Sequence, residues 1–115
     1  MKDFLFVFRN DYNAMPPITP EETQAVTKQW MDWIGGIAAQ NKLTDRGSSL
    51  TSKGKVVKVN NVITDGPYTE IKEFIGGFSI VKAETIEEAA ELAKGCPIFA
   101  VGGNVEVREI NVMYK

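Results

Sequence analysis

Five consecutive residues, Phe4-Leu5-Phe6-Val7-Phe8, are apolar whichever way a strand is turned. Successive side chains of a strand point to opposite faces, so both faces of this one must be covered. A central strand with helices over one face meets half of that demand. The other face needs a second layer, which a chain of 115 residues is expected to take from a partner subunit. At this length one domain over residues 1–115 is expected, burying roughly two-thirds of the surface its unfolded chain exposes.

Thr19-Pro20-Glu21-Glu22 opens a helix. Thr19 is the N-cap, Pro20 takes the first helical position and Glu22 completes a capping box. Val26, Trp30, Trp33, Ile34, Ile37 and Ala38 recur at helical spacing and form one apolar face, with the tryptophans as core anchors. Gly35-Gly36 destabilises a helix by about 1 kcal/mol per residue relative to alanine. The pair either permits close packing against a strand or ends the regular helix early.

Residues 43–50 read as an irregular strand around Gly47. Residues 56–64 read as a hairpin with a two-residue turn at Asn60-Asn61, because Asn tolerates positive φ. Residues 77–83 form a further strand. Thr85-Ile86-Glu87-Glu88 repeats the capping pattern and starts a helix that turns Ile86, Ala89, Ala90 and Ala93 inward, with Leu92 alongside. Gly95 stops it and Pro97 prevents resumption. A last strand over 104–113 puts Val105 and Val107 on one face but Ile110 and Val112 on the other. The phase slips near Arg108-Glu109, at a bulge or where the strand changes packing partner.

This order predicts an α+β fold: a ferredoxin-like βαββαβ unit with an inserted hairpin and both helices on one sheet face. Either Phe4, Phe6 and Phe8 or Leu5 and Val7 must then lie on the free face. An exposed apolar sheet face predicts a homodimer.

Composition narrows the function. Net charge is −2 with both signs scattered, so nothing gathers to neutralise phosphates and no nucleic acid partner is expected. No apolar run approaches the ~20 residues of a membrane span. The first residues lack a signal-peptide layout, and the single Cys96 allows no internal disulfide, which together predict a cytoplasmic protein. The chain has no histidine. That excludes a His-based triad and the usual catalytic zinc sites, and leaves acid–base work to a carboxylate, Lys, Tyr or Cys. Cys96, at a helix C-terminus, is disfavoured as a nucleophile.

The richest chemistry lies between Thr64 and Phe78: a tight turn, four charged side chains and a double glycine. The run Asp65-Gly66-Pro67-Tyr68-Thr69-Glu70-Ile71-Lys72-Glu73, followed by Gly76-Gly77-Phe78 and later Gly95-Cys96-Pro97, resembles the signature of the DGPF proteins, a branch of the YCII-related superfamily. The resemblance extends to the first and last strands and so covers nearly the whole chain. It implies a ferredoxin-like fold that dimerises sheet on sheet into a dimeric α/β barrel. The enzymatic role suggested for the superfamily rests on a His–Asp pair, which a chain without histidine cannot form. Tyr68 also stands where the family usually has Phe.

Asp65 is the candidate catalytic residue, as general base or substrate-orienting carboxylate. Its structural alternative is to bond backbone N–H groups and fix the turn. Tyr68, Glu70, Lys72, Glu73 and Gly77 are candidate ligand-binding residues. Glu70 and Glu73 would share a face of a helical turn, Lys72 would pair with Asp65 or an anionic ligand, and Gly76-Gly77 marks a bulge or a close backbone approach. Two functions fit: a lyase- or isomerase-type proton transfer on a small molecule in a dimer cleft, or non-catalytic ligand binding or regulation by the same dimer. The sequence names no cofactor and no substrate. Arg46 and Arg108 are isolated cations whose spacing specifies nothing.

Overall fold

The computed structural model describes residues 1–11, 19–66 and 73–112. Four antiparallel strands form the main sheet in the order β2-β5-β1-β6, with β1 (Lys2–Asp11) and β5 (Glu73–Ala83) central, and β2 (Leu43–Ser49) and β6 (Asn104–Glu109) at the edges. Two helices, α1 (Pro20–Ala39) and α2 (Ile86–Ala93), complete an α+β architecture compatible with a ferredoxin-like fold. A separate two-stranded sheet, β3 (Gly54–Lys58) with β4 (Val62–Gly66), is inserted between β2 and β5.

The 4–8 run is central, as its double-faced apolar character requires. Phe4, Phe6 and Phe8 are the buried set, packed with Val81, Ala83, Ile37, Ala89, Ala93 and Ile98 under the helices. Leu5 and Val7 take the other face, opposite Ile80 and Phe78, and all four are half-buried. Arg9 and Arg108 flank this strip, both paired with Glu106, at 2.9 and 3.3 Å. The Arg9 hydrogen bond, helped by Arg108, holds the Glu106 carboxyl below its ordinary value.

Both helices start where their caps place them. Thr19 Oγ1 accepts from Glu22 N and Thr85 Oγ1 from Glu88 N, each at 3.1 Å. The α1 tryptophans anchor the helix as expected. Trp33 stacks on Phe6 with 6.1 Å between ring centroids, and Trp30 meets Phe8 edge-on at 4.9 Å. Trp33 Nε1 also donates to Leu92 O at 3.0 Å, tying α1 to α2. Neither expectation for Gly35-Gly36 holds. The helix continues to Ala39, and a Cβ at either glycine would meet nothing within 4 Å. Ala38 faces solvent. On α2, Ala89 and Ala93 are buried, but Ile86 and Ala90 are exposed. Ile86 is the first helical residue and leans N-terminally, and Ala90 is a quarter-turn from the buried pair.

Three boundaries differ from the sequence reading. The hairpin turns through three residues, Val59–Asn61, with Asn60 and Asn61 both at positive φ. β5 starts at Glu73, four residues before Gly77. β6 ends at Glu109, and the parity change at Ile110 marks that end, where Ile110 N donates to Asp3 O at 2.9 Å.

Candidate functional site

Along the helix-facing side of β5 the side chains shrink toward one end. Val81 opposes Phe4, Ser79 opposes Phe6, and Gly77 opposes Phe8. Small residues opposite a helix leave unfilled space. Here that space is a cavity of about 550 Å³, roofed by Trp30, Met31, Ile34 and Gly35 of α1, and walled by β2, β5 and Phe8. Its size is within the range of small-molecule sites, which are mostly apolar with a few polar groups.

The β2 wall is irregular and held in place. Gly47, at φ 72°, lies so close to β5 that a Cβ would overlap the carbonyl of Phe78. Asp45 Oδ1 accepts from Gly47 N at 2.7 Å, and the buried Ser79 hydroxyl donates to Arg46 O at 2.7 Å. Gly77 is buried against the same strand, and a Cβ there would stand 2.7 Å from Ser48 O. At Gly76 the β1–β5 register slips between Phe8 and Arg9. The double glycine therefore provides both the expected bulge and the expected close approach.

Polar groups at the cavity are few. Ser48 and Ser49 lie on β2, and Asn10 lies at the end of β1 with its Oδ1 buried and unpartnered among the described residues. Among the described residues Arg46 is the only ionisable one lining it, and its guanidinium has no partner there.

The residues singled out from sequence are dispersed. Gly77 lines the cavity. Asp65 lies on β4, not at the cavity; its side chain is 95% exposed and its Oδ1 is 2.7 Å from Lys55 Nζ. Lys55, directly across the hairpin, is its partner among the described residues, while the anticipated Lys72 and the turn after Gly66 lie outside them. Glu73 begins β5, with its side chain outside the described set. Tyr68, Glu70 and Lys72, with the anticipated helical turn, lie outside the described residues. Among the described residues no three Asp, Glu or Cys gather as a metal site, and no helix is long and apolar enough to cross a membrane.

Cys96 is buried, and desolvation pushes its thiol up to about 11 despite a bond with the Ile98 backbone. The cause is burial rather than the helix end. The folded state then holds this proton more tightly than the unfolded state, whose thiol ionises near 9.0. The stability from a neutral buried thiol is complete below that value and is lost as pH rises toward about 11. Denaturant melts across this window should show the decline, and Cys96→Ala should flatten it.

An antiparallel four-stranded sheet under two helices, with a strand-inserted hairpin, defines the structural class. The model of the YCII-related domain matches residues 4–113, and the chain belongs to that family. No curated protein matches the chain.

Proposed function

We propose that the chain is a small-molecule-binding protein of the DGPF branch, acting as a homodimer, with its ligand in the cavity beneath α1. The tapered side of β5 carries this reading: Val81, Ser79 and Gly77 open a mostly apolar space of small-molecule size. Gly35 supplies the test. Its Cβ position faces open space at the cavity roof. Gly35→Leu should stabilise α1 by about 1 kcal/mol, from helix propensity alone, while filling the cavity. A fragment screen followed by tryptophan indole NMR should find compounds that shift Trp30 in the parent and not in this variant. Binding that survives the substitution, or shifts confined to another region, would refute the location.

The homodimer rests on two unpacked apolar surfaces. One is the strip of Leu5, Val7, Phe78 and Ile80. The other is the hairpin face where Val57 and Ile63, 70% and 62% exposed, sit directly opposite each other. A two-stranded hairpin is marginal in water without support, and among the described residues β3 and β4 pack almost solely on each other. The radius of gyration, 15.7 Å, exceeds the roughly 13 Å of a compact chain of this length, consistent with a projecting arm. Lys55 and Asp65 share the Val57/Ile63 face. A second copy covering that face would take Asp65 out of water and into a subunit boundary. There the carboxylate could serve as the base of a lyase- or isomerase-type proton transfer, or position a ligand that is bound without reaction. Sedimentation equilibrium should give twice the chain mass for the parent and the chain mass for Ile63→Lys. A monomeric parent would remove the dimer and, with it, any role for Asp65 at a boundary.

A further inference from the structure

The charge pattern around the cavity specifies more than its shape. Of the described residues that line it, only Arg46 ionises. Among the described residues no carboxylate lines the cavity to receive a cationic ligand. The adjacent carboxylate, Asp45, accepts from the Gly47 amide at 2.7 Å. The neighbouring cation Lys42 is taken up by Glu88 at 3.0 Å. Arg46 is therefore an exposed residue at the edge of an aromatic and aliphatic space, with its guanidinium unpaired among the described residues.

We infer that the cavity takes a small organic monoanion, a carboxylate on an aromatic or branched aliphatic body, with Arg46 as its counter-ion. This rests on the cavity reading above and adds the ligand's charge and polarity. The planar guanidinium can give a carboxylate two parallel hydrogen bonds, which a point charge on lysine cannot match. The body of the ligand would replace water against Phe8, Trp30 and Ile34. Among the described lining residues one cation is offset by no acid, which matches a single negative charge better than a dianion or an ammonium group.

The backbone of Arg46 is held through its carbonyl by Ser79, which any side chain at this position preserves. Arg46→Gln is therefore expected to fold, as a thermal melt will verify. Titration calorimetry would compare hydrocinnamate, its uncharged amide hydrocinnamamide, and the ammonium compound phenethylamine. In the parent the carboxylate should bind at least about tenfold tighter than the amide, the usual scale for a charged hydrogen bond, and phenethylamine should not bind. Arg46→Gln should abolish the preference for the carboxylate, and Arg46→Lys should restore only part of it. Equal binding of acid and amide by the parent would overturn the anion assignment while leaving the cavity reading intact. A preference unchanged in Arg46→Gln would overturn Arg46 as the counter-ion. No binding by acid or amide, together with a failed fragment screen, would remove the cavity reading itself.

Discussion

Phe6→Ala is expected to remove about 3–5 kcal/mol of folding stability, the range for truncating a buried aromatic side chain. Phe6 is fully buried at the centre of the sheet, and its ring stacks on Trp33 at an interplanar angle of 14°. Trp33 is also the link to α2 through its hydrogen bond with Leu92 O. Loss of the ring frees Trp33 to tilt, which loosens both helices over the sheet. Against a total stability of about 5–15 kcal/mol for a domain, the variant should be partly unfolded at ambient temperature. Phe6→Leu, which keeps most of the volume, should cost about 1.5 kcal/mol or less. Urea denaturation monitored by tryptophan fluorescence measures both. A loss below about 1 kcal/mol for the alanine variant, outside the usual range, would mean that the Trp33 stack is not a principal support of α1.

Gly47→Ala should be comparably severe for a different reason. The residue has φ 72°, where a non-glycine residue costs about 1–3 kcal/mol. The added methyl would also overlap the Phe78 carbonyl, and a backbone atom cannot rotate away. β2 would have to separate from β5, taking Ser48, Ser49 and Arg46 with it. The expected signature is local as well as global: amide exchange should accelerate in β2 and at the β5 positions paired with it, Gly77 to Val81, before it does in β1. Ligand binding should fail together with β2. Normal exchange in β2 with unaltered stability would show that the strand tolerates displacement at this point.

Much of the fold was legible because it depends on local chemistry. Thr19 and Thr85 sit beside the groups they cap, and their oxygens have the expected partners. The 4–8 run required a central strand irrespective of its neighbours. The choice between its two faces was not legible, because both are apolar and only the helices' placement decides it. The cavity was also hidden in a linear reading. Its signal, the decline from Val81 through Ser79 to Gly77 on one strand face, means little until β5 is known to lie beneath α1. Gly35-Gly36 was misread for a related reason: a helical glycine pair suggests tight contact, whereas here Gly35 borders unfilled space. Asp65 drew attention through its motif, yet its ion pair with Lys55 depends on hairpin register, which its sequence context does not encode. Arg46 lacked significance until the β2 irregularity set it beside the cavity.

The route into and out of the hairpin has a consequence for how the chain opens. Leu50 N donates to Gly76 O at 2.8 Å, and Ser49 pairs with Gly77. The two strands are thus fastened together where the intervening segment leaves and returns. The hairpin strands β3 and β4 pair only with each other among the described residues, so the arm can melt without breaking a hydrogen bond of the main sheet. In the absence of a covering partner, the arm should behave as a separate cooperative unit that opens at lower free energy than the core. Limited proteolysis would then cut within the arm while the flanking pieces stay associated. A bound second copy would protect it, so that susceptibility to cleavage becomes a readout of assembly.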